Sequence, residues 1–163
     1  MDTPPRYFLN PGEFHFGAAP LQLATLLGSC VTVTLWHPHR RIGGMCHILL
    51  PGRPPRRGRP LDGHYADEAF AMFDDAIARH GAAPREYQAK LFGGGDMFPV
   101  AKTRIGLGAR NIVTARDLLA ARGIPLLAEH AGGAGHRKLV FDLGNGEVHL
   151  YFADLNKTPR GDS

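Results

Sequence analysis

Cysteine is scarce in this chain, with only Cys30 and Cys46 among 163 residues. One bridge is too few for the disulfide framework of a small secreted domain, so both thiols are expected to be reduced. Long apolar runs are missing as well. The longest, Ile48 to Pro51 with its neighbours, is interrupted by His47 and Arg53, far short of the roughly 20 residues that span a bilayer. The opening, Met1 to Gly12, holds three prolines and nothing like the apolar core of a signal peptide. These absences point to a cytoplasmic protein without membrane insertion. Metal-ligand spacing is absent too. Nine histidines are present, but there is no Cys-x-x-Cys pair and no His-Glu-x-x-His segment, and His37 and His39 flank a proline in an expected turn. Gly106 to Asn111 begins like a dinucleotide fingerprint but ends in asparagine and lacks a convincing preceding strand. No metal and no cofactor is therefore expected.

Positive charge is present but local. The net charge is +4, and Arg53, Arg56, Arg57 and Arg59 share a stretch rich in proline and glycine. Without interleaved aromatics or a reading helix this is a solvated loop rather than a nucleic-acid surface, with docking to an anionic partner as the alternative. A chain of this length is expected to form a single domain over 1–163, with 154–163 as a flexible tail. Apolar positions alternate at Leu21, Leu23 and Thr25, and again at Val31, Val33 and Leu35, so the first third reads as strand. His37 to Arg40 marks a hairpin turn and Ile42 to Leu50 resumes the sheet. The period changes at Tyr65 to His80, where Ala66, Phe70, Phe73 and Ile77 form one helical face ended by Gly81. Tyr87 to Phe92 reads as a strand entering Gly93, Gly94 and Gly95. A second helix is expected from an Asn111 cap to Gly123, burying Ile112, Ala115 and Leu119. Ile124 to Glu129 is a short strand, and Lys138–Leu143 and Glu147–Ala153 form a hairpin about an Asn-Gly turn. The fold class is α+β, with mixed β-sheet layers and hairpins covered by two amphipathic helices.

Two residues stand out for chemistry. A thiol becomes a nucleophile where a base or positive charge favours thiolate and a turn exposes the sulfur. Cys30 follows Gly28 and Ser29 and precedes a strand, so a sharp turn there would present the sulfur and nearby amides, its own included, to an oxyanion. The competing reading is a small buried hydrophobe. His47 lies in the next strand-like run, and neighbouring antiparallel strands would bring the two together, although the sequence leaves their register open. Cys46 is the poorer partner for His47, because adjacent strand residues point to opposite faces. Gly93 to Gly95 would serve as an anion cradle, a tight turn or a docking surface for a peptide.

Leu27-Gly-Ser-Cys-Val31, followed by Arg41-Ile-Gly-Gly-Met-Cys-His-Ile-Leu-Leu-Pro51, resembles the CheD family of chemoreceptor glutamine deamidases. Further blocks fit in order: Lys90 to Phe98, Gly108 to Asn111, Ile124 to Glu129, Gly132-Gly133, and Arg137-Lys138. The resemblance spans roughly residues 10 to 150. It implies a cytoplasmic cysteine amidohydrolase that converts glutamines of methyl-accepting chemotaxis receptors to glutamate with release of ammonia, during chemotaxis adaptation. Cys30 and His47 map onto the family's catalytic cysteine and histidine. Thr25 is the candidate for its threonine, at five residues before the cysteine where some members have six, an offset that switches faces unless a bulge compensates. His130 stands where many relatives carry an acidic residue. Ser29, Gly93, Gly94 and Gly95 are the expected substrate contacts, and the arginine loop is a further candidate for receptor contact. The resemblance also raises a CheC-type phosphatase as partner, and with it the alternative of a catalytically weak binding module.

Overall fold

The computed structural model describes residues 3–97 and 105–155. In chain order the elements are β1 (Arg6–Phe8), β2 (Phe14–Ala18), β3 (Gln22–Leu27), β4 (Val31–His37), β5 (Ile42–Cys46), α1 (Ala66–His80), β6 (Gln88–Gly93), α2 (Leu107–Ala121), β7 (Leu126–Ala131), β8 (Gly135–Asp142) and β9 (Val148–Asp154). They form two mixed sheets, one ordered β1-β3-β8-β9 and the other β2-β5-β4-β6-β7. Pairing is antiparallel except for β1 with β3 and β6 with β7. The parallel β6–β7 pair is joined by α2, as a crossover requires.

Two apolar clusters fix the layering. Leu23, Leu27, Leu139 and Phe141 of the four-stranded sheet meet Met45 and Phe92 of the five-stranded one. On the opposite face of the five-stranded sheet, Val31, Val33 and Leu35 pack under Phe70, Phe73 and Ile77 of α1 and Ile112, Ala115 and Leu119 of α2. The result is the α+β arrangement expected, in three layers of sheet, sheet and helices. Because β4 lies in the middle layer, its second face is buried too, and Thr32 and Thr34 are as enclosed as the valines beside them.

The structure corrects several boundaries. α1 ends as its pattern predicts, with Gly81 at φ 74° and its N–H on the Ile77 and Ala78 carbonyls. α2 begins four residues before Asn111, capped by the extended backbone of Gly106. Asn111 is no cap; it is a fully buried residue inside the helix. β1, unforeseen, presents three exposed residues and exists through its pairing with β3. β7 runs two residues later than expected, and β8 starts three residues earlier than the hairpin signal suggested. Of the expected tail, Asp154 closes β9 and the Leu155 N–H reaches the Ala134 carbonyl at 2.8 Å. Residues 156–163 lie outside the described residues.

Gly94 directly follows β6 and packs against α2. It has φ +69°, and a Cβ there would lie 2.4 Å from Ile112 Cδ1 and 2.8 Å from the Gly108 carbonyl oxygen. Gly81, at φ +74°, has nothing within 4 Å of the same position. Gly81→Ala is therefore expected to lose about 1 kcal/mol for left-handed backbone alone. Gly94→Ala should lose about 2 to 3 kcal/mol more from overpacking. Urea unfolding of both variants checks the difference, and equal losses would contradict the packing assigned to Gly94.

Candidate active site

The chain leaves β3 at Leu27 and crosses from one sheet to the other through Gly28, Ser29 and Cys30 before β4 begins. Three successive carbonyls of this crossing are held by a separate donor each. Gly28 O accepts from the Gly95 N–H at 3.0 Å and Cys30 O from the Gly94 N–H at 2.8 Å. Ser29 O accepts from Asn111 Nδ2 at 3.3 Å. Gly93 completes the fit, since a Cβ there would lie 2.2 Å from Cys30 O. All three glycines are buried. Of the roles the sequence left open for Gly93 to Gly95, the geometry favours a docking surface for backbone, and the backbone docked there is the chain's own cysteine loop.

His47 follows β5 on the strand beside that loop. β4 and β5 pair with Thr34 opposite Met45, and an isolated bridge between Val31 and Ile48 continues the register. His47 therefore lies opposite Thr32, and Cys30 lies one residue beyond the last bridge. Strand alternation puts His47 on the face turned toward the four-stranded sheet, and Cys30 packs on that same side. Cys30 packs against the cluster between the sheets, whereas Cys46 belongs to the helix-side cluster.

Thr25 reaches His47 from the opposite sheet. Its position in β3, opposite Leu139 of β8, points it inward with Leu23 and Leu27. Its Oγ1 lies 2.7 Å from His47 Nδ1 and donates to the Leu9 carbonyl at 2.7 Å. A hydroxyl has one proton. With that proton on Leu9 O, Nδ1 must carry the hydrogen of the shared bond, which leaves the Nε2 lone pair free as a base. Thr32, directly across from His47, does not share this bond, and its buried Oγ1 has no partner among the described residues.

This geometry has counterparts in known sequences. Residues 49–151 match the family model described as CheD chemotactic sensory transduction. "Probable chemoreceptor glutamine deamidase CheD 3" of Dechloromonas aromatica is 52% identical over 147 residues, 89% of this chain and 86% of the relative. Similar proteins named as CheD deamidases in Pseudomonas savastanoi pv. phaseolicola and Geobacter sulfurreducens are 47% and 41% identical, covering 91% and 94% of this chain and 86% and 92% of their own. The chain belongs to the CheD family. The region matched by the family model begins just after His47, so the Cys30, His47 and Thr25 geometry is an observation independent of that match.

The electrostatics of this CheD site differ from an ion pair. Burial lowers the His47 pKa to about 4, opposed by the Leu9 carbonyl and by Glu13, and assisted by the charge of His64. Burial also raises the Cys30 thiol. Around neutral pH both groups are therefore uncharged. Cys46 is inert by comparison: its Sγ is 3.8 Å from the Val33 carbonyl and burial pushes its pKa up to about 12. Of the arginine loop, Arg53 is tied to Glu68 at 2.7 and 2.9 Å and stacks on Tyr65, while Arg56 and Arg57 are exposed. His130 Nδ1 accepts from Arg137 Nε at 2.9 Å. No helix among the described residues is long and apolar enough to cross a membrane. Asn111 is the site neighbour that sequence reasoning misplaced, although a polar residue on the apolar stripe of α2, four before Ala115 and eight before Leu119, was its signal.

The lowered His47 pKa makes stability depend on pH. Between pH 6.5 and about 4 the unfolded chain binds a proton at this ring that the folded one does not. This contribution is therefore complete above pH 6.5 and is lost as pH falls toward 4, by about 3 kcal/mol. Urea unfolding across that range should show a steeper loss for the unaltered protein than for His47→Gln. Parallel slopes would contradict a buried neutral ring.

Proposed function

We propose that this protein hydrolyses the side-chain amide of glutamines on chemoreceptors, with Cys30 as nucleophile, His47 as general base and acid, and Thr25 as the group that orients His47. The observation that carries the reading is the Thr25–His47 bond across the sheets, which leaves Nε2 unprotonated on the face shared with Cys30. The relatives' names supply the substrate class.

The neutral resting pair sets how the reaction proceeds. As the Cys30 sulfur bonds to the carboxamide carbon, its proton passes to His47 Nε2. The carbonyl oxygen becomes an oxyanion, met by backbone amides of the cysteine loop. His47, now an imidazolium held by the Leu9 carbonyl and Thr25, gives its proton to the departing nitrogen as the C–N bond breaks, releasing ammonia. Water then gives a proton to His47 and attacks the thioester, which yields the glutamate carboxylate and restores the thiol. Docking is supported by a groove of about 410 Å³ that includes Gly28 and continues over Leu26, His136, Lys138, Tyr151 and Ala153. Leu26 and Tyr151 are largely exposed there. An apolar floor with a basic rim suits a receptor helix bearing acidic side chains.

Purified protein incubated with receptor cytoplasmic fragments should raise the mass of a target peptide by about one dalton per site, as an amide becomes an acid. Cys30→Ala should abolish that gain with the fold retained. Cys46→Ala should keep most activity and cost about 1 kcal/mol of packing. An active Cys30→Ala variant would overturn the nucleophile, and an inactive unaltered protein would leave only a binding module.

A further inference from the structure

Asn111 is an asparagine inside a helix and fully buried, and α2 makes no use of its side chain. Its Oδ1 is buried with no hydrogen-bond partner among the described residues. Helix propensity and desolvation both disfavour such a residue. What it contributes is the amine end, which donates to Leu49 O at 3.0 Å and to Ser29 O at 3.3 Å. Those carbonyls belong to the segments that carry His47 and Cys30. The backbone ladder between them ends one step earlier, where Val31 and Ile48 exchange bonds at 2.9 and 2.8 Å. Beyond it the Leu49 and Leu50 N–H groups both turn to His64 O. Asn111 bridges the two chains where the backbone stops doing so.

The consequence lies in the peptide plane. In a trans peptide the C=O and N–H point in opposite directions. Holding Ser29 O against α2 therefore turns the Cys30 N–H away from the helices, toward the side on which the Cys30 side chain packs. Gly95, by holding Gly28 O, fixes the Ser29 N–H in the same way. Among the described residues neither N–H has an acceptor. We propose that Asn111 is a positioning residue that presets the oxyanion donors of the cysteine loop. The role rests on the deamidase reading.

The test sets two reactions of Cys30 against each other. Amide hydrolysis develops an oxyanion, whereas alkylation by iodoacetamide displaces iodide and develops none. Asn111→Ala should lower kcat for receptor-fragment deamidation by about 100- to 1000-fold, with KM little changed. Its alkylation rate at a fixed alkaline pH should match that of the unaltered protein. Asn111→Leu, which fills the site without donors, serves if the alanine variant unfolds. A peptide aldehyde in place of the target glutamine provides a measurement without substitution: it should form a thiohemiacetal with Cys30 and move the Cys30 amide proton downfield. Unchanged turnover in the variants, alkylation that falls in step with turnover, or an unmoved Cys30 amide overturns the positioning role. Absence of turnover in the unaltered protein overturns the deamidase reading, and the inference with it.

Discussion

The hydrogen bond from His47 to Thr25 ties the two sheets together at the point where chemistry is proposed. His47 belongs to the five-stranded sheet and Thr25 to the four-stranded one, and both are almost completely enclosed. A buried bond of this kind is made well or is costly, so the separation and rotation of the sheets are constrained by it. The constraint also has a polarity. Because the Thr25 proton is directed to Leu9 O, the ring has one tautomer, and its open nitrogen lies on the face that Cys30 shares.

A second set of bonds shapes the other half of the site. The cysteine loop is held from below by Gly94, Gly95 and Asn111; the two glycines directly follow β6 and the asparagine stands on α2, and the close approach of these segments depends on glycine. A Cβ on Gly108 would lie 2.4 Å from the Gly94 carbonyl oxygen. Layering thus joins sequence to the proposed function in two directions: one sheet supplies the group proposed to orient the base, and the helical layer supplies the clamp on the proposed nucleophile. Burial keeps the resting pair neutral, which in the proposed reaction confines charge separation to turnover.

Much of this order is visible in the residues, and the exceptions have physical reasons. α1 was legible because Ala66, Phe70, Phe73 and Ile77 make one stripe and Gly81 ends it. The β4–β5 hairpin announced itself by His37 to Arg40. β1 was not legible, since Arg6, Tyr7 and Phe8 put no residue into either apolar core and are strand by pairing with β3. The start of α2 was misread because asparagine caps helices more often than it bridges carbonyls. Family resemblance named Cys30, His47 and Thr25, but the proximity of Thr25 depends on how two sheets stack, which no local pattern encodes. The direction of the thiol's pKa depends likewise on enclosure by distant residues.

The state of the His47 ring at rest tests the account most directly. Nitrogen-15 NMR of the ring, followed from neutral pH downward, reads both the tautomer and the titration. The account predicts a neutral ring protonated on Nδ1 and bare on Nε2, with protonation deferred to about pH 4. A ring protonated on Nε2, or one that is already an imidazolium at neutral pH, would contradict it.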